Sequence, residues 1–221
     1  CELGSGPMFV AMCGANHDSH DYIAQMYARG VRAFLTEHSV EPLPGCGYVT
    51  VPNAIAALQC LAAYHRAQFR GTVVGITGSN GKTVIKEWIA EELPAGMKCY
   101  RSPKSYNSQL GVPLSVLMLE GDEELAIFEA GISKPGEMER LERIIRPDAV
   151  IFTSIGDAHQ ENFINLEQKC DEKMILARSA SKIIYHSYYE PLGRMVAAHF
   201  ADRRPVDAAS YPEVPESVIG N

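Results

Sequence analysis

The run Gly78-Ser79-Asn80-Gly81-Lys82-Thr83 places glycines, a lysine and a hydroxyl in an order suited to phosphate binding. Glycines let backbone N–H groups face an anion, and a helix starting there adds the positive end of its dipole. A lysine so placed reaches the β/γ-phosphates of a nucleotide, and a Thr hydroxyl holds Mg2+. The flanks fit this reading. The β-branched "TVVGIT" precedes the loop, and a helix follows with Val84, Ile85, Trp88 and Ile89 assigned to its apolar face. The strict G-x-x-x-x-G-K-[ST] spacing fails by one residue, because Ile76 stands at the first glycine position and the glycines fall at 75 and 78. A glycine-rich turn with a solvated lysine is the alternative.

Further chemistry-bearing residues stand at strand ends. Glu129 follows "LAIF", and a carboxylate at the end of a buried strand is costly unless it is paired or bound to metal. His159 follows "AVIFTSIGDA" in the equivalent place, as a ligand or as a structural histidine. Lys173 lies in the helical stretch "NLEQKCDEKMILARSA", where periodicity allows a solvated side chain. Asn107 and Ser108 precede a helix that they could cap, or from which they could reach a phosphate. Lys98, Arg101 and Lys104 form either a local anion patch or a solvated face.

The elements that must position these groups read as α/β. Strand candidates near Met8 to Met12, at "AFLTE" and at "GYVTVP", with a helix over Asn53 to Phe69 burying Ile55, Leu58, Leu61 and Ala62, make a small first unit. The Arg70-Gly71 step marks the expected boundary between residues 1–70 and 71–221. From Thr72, the apolar runs "TVVGIT", "LAIFEAG", "AVIFTSIG" and "KIIYHS" alternate with helical stretches, which argues for a mostly parallel sheet covered on both faces. Ligands bind beyond the carboxyl ends of such strands.

Composition narrows the function classes. With 221 residues, 46% of them hydrophobic, the chain can bury a real core. The net charge of -7 argues against nucleic acid or anionic membrane as a general partner. No apolar run is long enough for a membrane span. The six cysteines show no C-x-x-C pairing and read as reduced packing residues of a cytoplasmic protein rather than disulfides or a zinc site.

Taken together, "GITGSNGKT", "YNSQLGVPLSVL", "FEAGISKPGEM", "IGDAHQENF" and the following lysine at 173, with "FVAMCGANHDSHDYI" near the start, resemble the Mur ligase family. These are ATP-dependent, amide-forming enzymes of peptidoglycan synthesis. "GVPLSVL" and "AGISKPGEM" resemble the branch that joins D-Ala-D-Ala to UDP-MurNAc-tripeptide, and "RSPKSYNSQLGVPLS" resembles its form fused to an alanine racemase. The resemblance implies that ATP activates a carboxylate as an acyl phosphate, which the amine then attacks. It implies Lys82 on the phosphates, Thr83 and Glu129 on a first Mg2+, and His159 on a second. Lys173 matches a lysine that the family carbamoylates to support Mg2+. Ser102 matches a hydroxyl near the γ-phosphate and metal, and Asn107 an amide near the substrate.

"DSH" at Asp18 to His20 stands for the family's D-G-H near the uridine nucleotide, and the Ser-Arg motif expected before it is missing. The family's third, carboxy-terminal domain is not found in the sequence, which predicts weak nucleotide binding and little ligase activity for this stretch alone. Two other readings stay open: a related or folylpolyglutamate-type ligase that adds a single amino acid, and a noncatalytic phosphate-loop module.

Overall fold

A computed structural model describes residues 6–14, 16–156, 162–188, 190–203 and 205–210. The chain divides into two compact units between Cys60 and Leu61.

The first unit holds β1 (Met8–Val10), α1 (Ile23–Ala28), β2 (Ala33–Thr36), β3 (Gly47–Thr50) and the start of α2 (Ala54–Arg66). Its three strands pair in parallel in the order β1-β2-β3, with Met8 opposite Ala33 and Phe34 opposite Tyr48. Ala11, Ile23, Val31 and Phe34 form its small core. Helix α2 buries Ala54, Leu58 and Ala62, a spacing of four, while Ile55 and Leu61 are exposed, so the apolar stripe is narrower than the expected face. Arg70-Gly71 lies inside the second unit. There Arg66 Nε donates to the Ile145 carbonyl at 2.9 Å, and Ala62 and Phe69 join the large core.

The second unit contains β4 (Thr72–Thr77), α3 (Lys82–Glu91), β5 (Cys99–Arg101), α4 (Gly111–Val116), β6 (Leu125–Ala130), α5 (Glu137–Ile145) and β7 (Ala149–Phe152). It continues through α6 (Leu166–Met174), β8 (Lys182–Tyr185), α7 (Glu190–Phe200) and β9 (Val206–Asp207). All neighbouring strands are parallel, in the order β5-β6-β4-β7-β8-β9. From β4 the chain crosses to β5 at one edge, returns to β6 beside β4, and then adds β7, β8 and β9 in turn on the other side, which makes the carboxyl end of β4 a topological switch point.

Strand alternation sorts the side chains. Ala126, Phe128 and Ala130 of β6 face the core shared with α4 to α7, whereas Leu125 and Ile127 face a second cluster with Ile85 and Ile89 of α3. Val84 and Trp88 are exposed, which corrects the apolar face expected of α3: only one edge of this helix meets the sheet. Among the described residues, no helix is long and apolar enough to cross a membrane.

Candidate functional site

The phosphate-type loop leaves β4 at the switch point and enters α3. Gly78 has φ +153°, and a Cβ there would lie 1.8 Å from Thr153 Oγ1, so the close approach of the end of β7 admits glycine alone. Gly81, at φ +80°, makes the left-handed step into the helix. Ser79 N–H donates to the Ser154 carbonyl at 2.6 Å, and Thr153 Oγ1 donates to the Asn80 carbonyl at 2.6 Å. Ser79 Oγ is bracketed by the Gly156 carbonyl and N–H, at 3.1 and 2.9 Å. The loop is therefore strapped to the next strand before any ligand arrives.

Ser79, Asn80, Gly81, Lys82, Thr83 and Val84 line one wall of a pocket of about 260 Å³, and Ser105, Asn107 and Glu129 line the other. The first-turn N–H groups of α3, which a helix cannot pair internally, thus belong to lining residues. Lys82 Nζ folds back on the Gly78 and Ser79 carbonyls at 2.9 and 3.1 Å. Burial lowers its pKa, with Glu129 opposing the shift.

Glu129 is fully buried, and alternation along β6 turns it to the α3 side, together with Leu125 and Ile127. Its Oε2 accepts from Thr83 Oγ1 at 3.1 Å and from Asn107 Nδ2 at 3.4 Å. Its Oε1 lies 2.9 Å from Lys86 Nζ as an ion pair but, like Ser102 Oγ, takes part in no hydrogen bond of good geometry. Lys86 is fully buried and also donates to the Ser102 and Lys104 carbonyls, each at 2.6 Å.

Sequence reasoning missed Lys86, although it stands four residues after Lys82, one helical turn along. Lys169 was missed in the same way, one turn before Lys173. Both Lys169 and Lys173 are buried, and Lys173 Nζ donates to the Gly78 carbonyl at 3.0 Å from behind the loop. Burial, then Lys82 and Lys169, push its pKa down to about 7. Lys169 Nζ donates to the Gly156 carbonyl.

The fold brings Ser79 to Thr83, Asn107 and Glu129 to one pocket. Ser102 is buried beside Lys86 and is not a lining residue, and Lys173 sits behind the loop. His159 lies outside the described residues. Ser108 Oγ accepts from Gly111 N–H at 3.1 Å at the start of α4, in a capping role. Of the three basic residues of the possible anion patch, Lys98 pairs with Asp122 and Arg101 with Glu87 at 3.0 Å.

Residues 76–203 match the Mur ligase middle domain. The chain is 32% identical over 174 residues to the UDP-N-acetylmuramoyl-tripeptide–D-alanyl-D-alanine ligase of Bacillus subtilis, covering 78% of this chain and 38% of that protein. It is 32% identical over 166 residues to the Escherichia coli ligase of the same name, covering 75% and 36%. The MurF ligase from Thermotoga maritima, solved in complex with ADP, superposes with a TM-score of 0.78 at 28% identity, covering 93% of this chain and 47% of that one. MurF from Acinetobacter baumannii gives 0.76 at 26%, covering 87% and 45%. The chain thus spans about two fifths of the length of the curated relatives it matches. With the middle domain matched over more than half of its residues, the chain belongs to the Mur ligase family.

Proposed function

We propose that this chain carries the nucleotide-binding part of a cytoplasmic ligase that adds D-Ala-D-Ala to UDP-MurNAc-tripeptide at the expense of ATP. The observation that carries the reading is the pocket at the end of β4, where the loop, Thr83 and Glu129 converge with Asn107. The names of the relatives, and the ADP bound to the T. maritima ligase, support it.

The donor set fits Mg2+. Thr83 and Glu129 offer oxygen ligands 3.1 Å apart, the chemistry a hard cation selects, and Glu129 Oε1 and Ser102 Oγ are buried oxygens with no good hydrogen bond. When bound, Mg2+ supplies charge neutralisation for phosphoryl transfer. In this reading Thr83 and Glu129 would hold the first ion with the support of Ser102, and His159 would help hold a second.

Loop residues Gly78 to Thr83 would surround the phosphates, with the N–H groups of the first turn of α3 as donors while the Ser79 N–H stays on the Ser154 carbonyl. Lys82 exchanges its two carbonyl partners for phosphate oxygens and offsets the charge that develops when the substrate carboxylate is phosphorylated. Asn107 orients Glu129 and the substrate side of the pocket. Lys173 is buried beside two other lysines. Addition of carbon dioxide to its neutral amine, with loss of a proton, would turn it into an anion able to support Mg2+. We assign residues 1–70 to nucleotide-sugar recognition. The segment "RSPKSYNSQLGVPLS" supports placing the chain in the racemase-fused form of the ligase.

The test is a product assay on the native full-length protein with ATP and UDP-MurNAc-tripeptide, offering D-Ala-D-Ala, diaminopimelate or glutamate. Amide formation with the dipeptide alone is expected. Amide formation with a single amino acid, or phosphate release without amide, rejects the reading.

A further inference from the structure

Cys13, Asp18, His20 and His38 of the first unit bring their ligand atoms within 4.8 Å of one another. The chemistry proposed for the second unit uses none of them, while Asp18 and His20 belong to the motif that the family resemblance sets near the uridine nucleotide. They come from the loop after β1, the turn before α1 and the residue pair that follows β2, and parallel pairing of β1 with β2 sets the ends of those strands side by side. The Glu37 carboxylate fixes the arrangement, accepting from Cys13 N–H at 2.7 Å and from Ala54 N–H at 2.6 Å.

Hydrogen bonding assigns the two imidazoles different roles. His20 Nε2 accepts from Glu37 N–H at 2.9 Å, so its proton is on Nδ1, which donates to Asp18 Oδ1 at 2.5 Å. Both of its nitrogens are thereby engaged, and His20 is a positioning residue that turns the carboxylate. His38 Nδ1 donates to the Ser39 carbonyl at 3.2 Å, and Nε2 lies 3.3 Å from Asp18 Oδ2, to which it donates when protonated and beside which it offers a lone pair to a cation once that proton is lost. A backbone carbonyl on the far nitrogen is how proteins orient a metal-binding histidine. Cys13 Sγ lies 3.7 Å from the same Asp18 oxygen.

A tetrahedral zinc ion with ordinary bond lengths sets its nitrogen and oxygen ligands about 3.3 Å apart, and sulfur about 3.5 Å from either. The observed separations of 3.3 and 3.7 Å are close to those edges. We propose that Cys13 Sγ, Asp18 Oδ2 and His38 Nε2 form a binding site for zinc or a similar first-row divalent cation, with the fourth position open to solvent. Thiolate, carboxylate and neutral imidazole together carry two negative charges, which the cation balances, and the thiol proton is released on binding. The sulfur and imidazole select against Mg2+. The site also revises the expectation that the cysteines are packing residues. Cys170 is buried and Cys46 and Cys99 are half-buried, but Cys13 and Cys60 are exposed.

The experiment uses the whole chain, reduced and freed of metal. Titration with Co2+ should give a thiolate-to-cobalt charge-transfer band that saturates at one equivalent, whatever other ions the oxygen ligands of the second unit take up. The band should vanish in Cys13→Ser and persist in Thr83→Ala, and His38→Gln should weaken binding about tenfold or more. Without any substitution, Zn2+ should slow alkylation of Cys13 about tenfold, read by peptide mass spectrometry, while exposed Cys60 reacts at its former rate. Absence of the band, its survival in Cys13→Ser, or equal alkylation of Cys13 with and without Zn2+ overturns the proposal.

Discussion

Lys86 and Glu129 form a fully buried ion pair 2.9 Å long, and its two members are not equivalent. Glu129 keeps one oxygen on Thr83 and Asn107 at the pocket, whereas Lys86 faces inward to the Ser102 and Lys104 carbonyls. Removing the lysine strands a carboxylate in the core. Lys86→Met should therefore cost about 3–5 kcal/mol in urea denaturation, and adding Glu129→Leu should recover part of that loss. Thr83→Ala removes a small, half-buried hydroxyl instead. It should leave the denaturation midpoint nearly unchanged while lowering Mg2+-dependent turnover of the native full-length protein at least about tenfold. Glu129 was legible in the sequence because a charge at the end of an apolar run stands out. Lys86 was not, because lysine at a helical position reads as solvated unless the opposing strand is known.

At the scale of elements, the loop is a joint between β4, α3 and the end of β7. Gly78→Ala would drive a methyl group against Thr153 at a strained φ, so the loop must shift. The expected cost is about 1–3 kcal/mol, with loss of nucleotide binding in a fluorescent ATP-analogue titration. Helix α6 adds a pH-dependent effect. Lys173 has a folded-state pKa of about 7, below the ordinary lysine value, because it is buried beside Lys82 and Lys169. Between about pH 7 and 10 the unfolded chain holds this proton and the folded chain does not, so stability rises with pH across that window, by at most about 1.4 kcal/mol per unit. Below about pH 7 both states are protonated and the slope disappears. Lys173→Met should flatten the rise when wild type and variant are denatured from pH 7 to 9 in buffer free of metal and carbon dioxide. A parallel rise in both proteins would reject the assignment. The helix itself was readable from its pattern. Its buried cationic edge was not readable from periodicity, which fits Lys169 and Lys173 to a solvated face equally well; the family resemblance singled out Lys173, and only the loop carbonyls revealed Lys169.

For the whole molecule, the pocket is built for phosphates more than for a base. Among the described residues, Val84 is the one aliphatic side chain in its lining, so these offer an adenine ring little to stack against. The 221-residue chain is accordingly expected to bind ATP weakly and to turn over far more slowly than the native full-length protein; equal turnover in a side-by-side amide assay would reject this. By itself, the sequence determined the alternation of strands and helices, the glycine loop at a strand-to-helix step and the carboxylate at the end of β6. All three follow from local periodicity and backbone sterics. Only the tertiary structure decided which face of β6 meets α3, and so which lysine neutralises Glu129. It alone joined Cys13, Asp18 and His38, because their proximity depends on the pairing of β1 with β2 across more than twenty residues of chain, and no pattern within either segment encodes it.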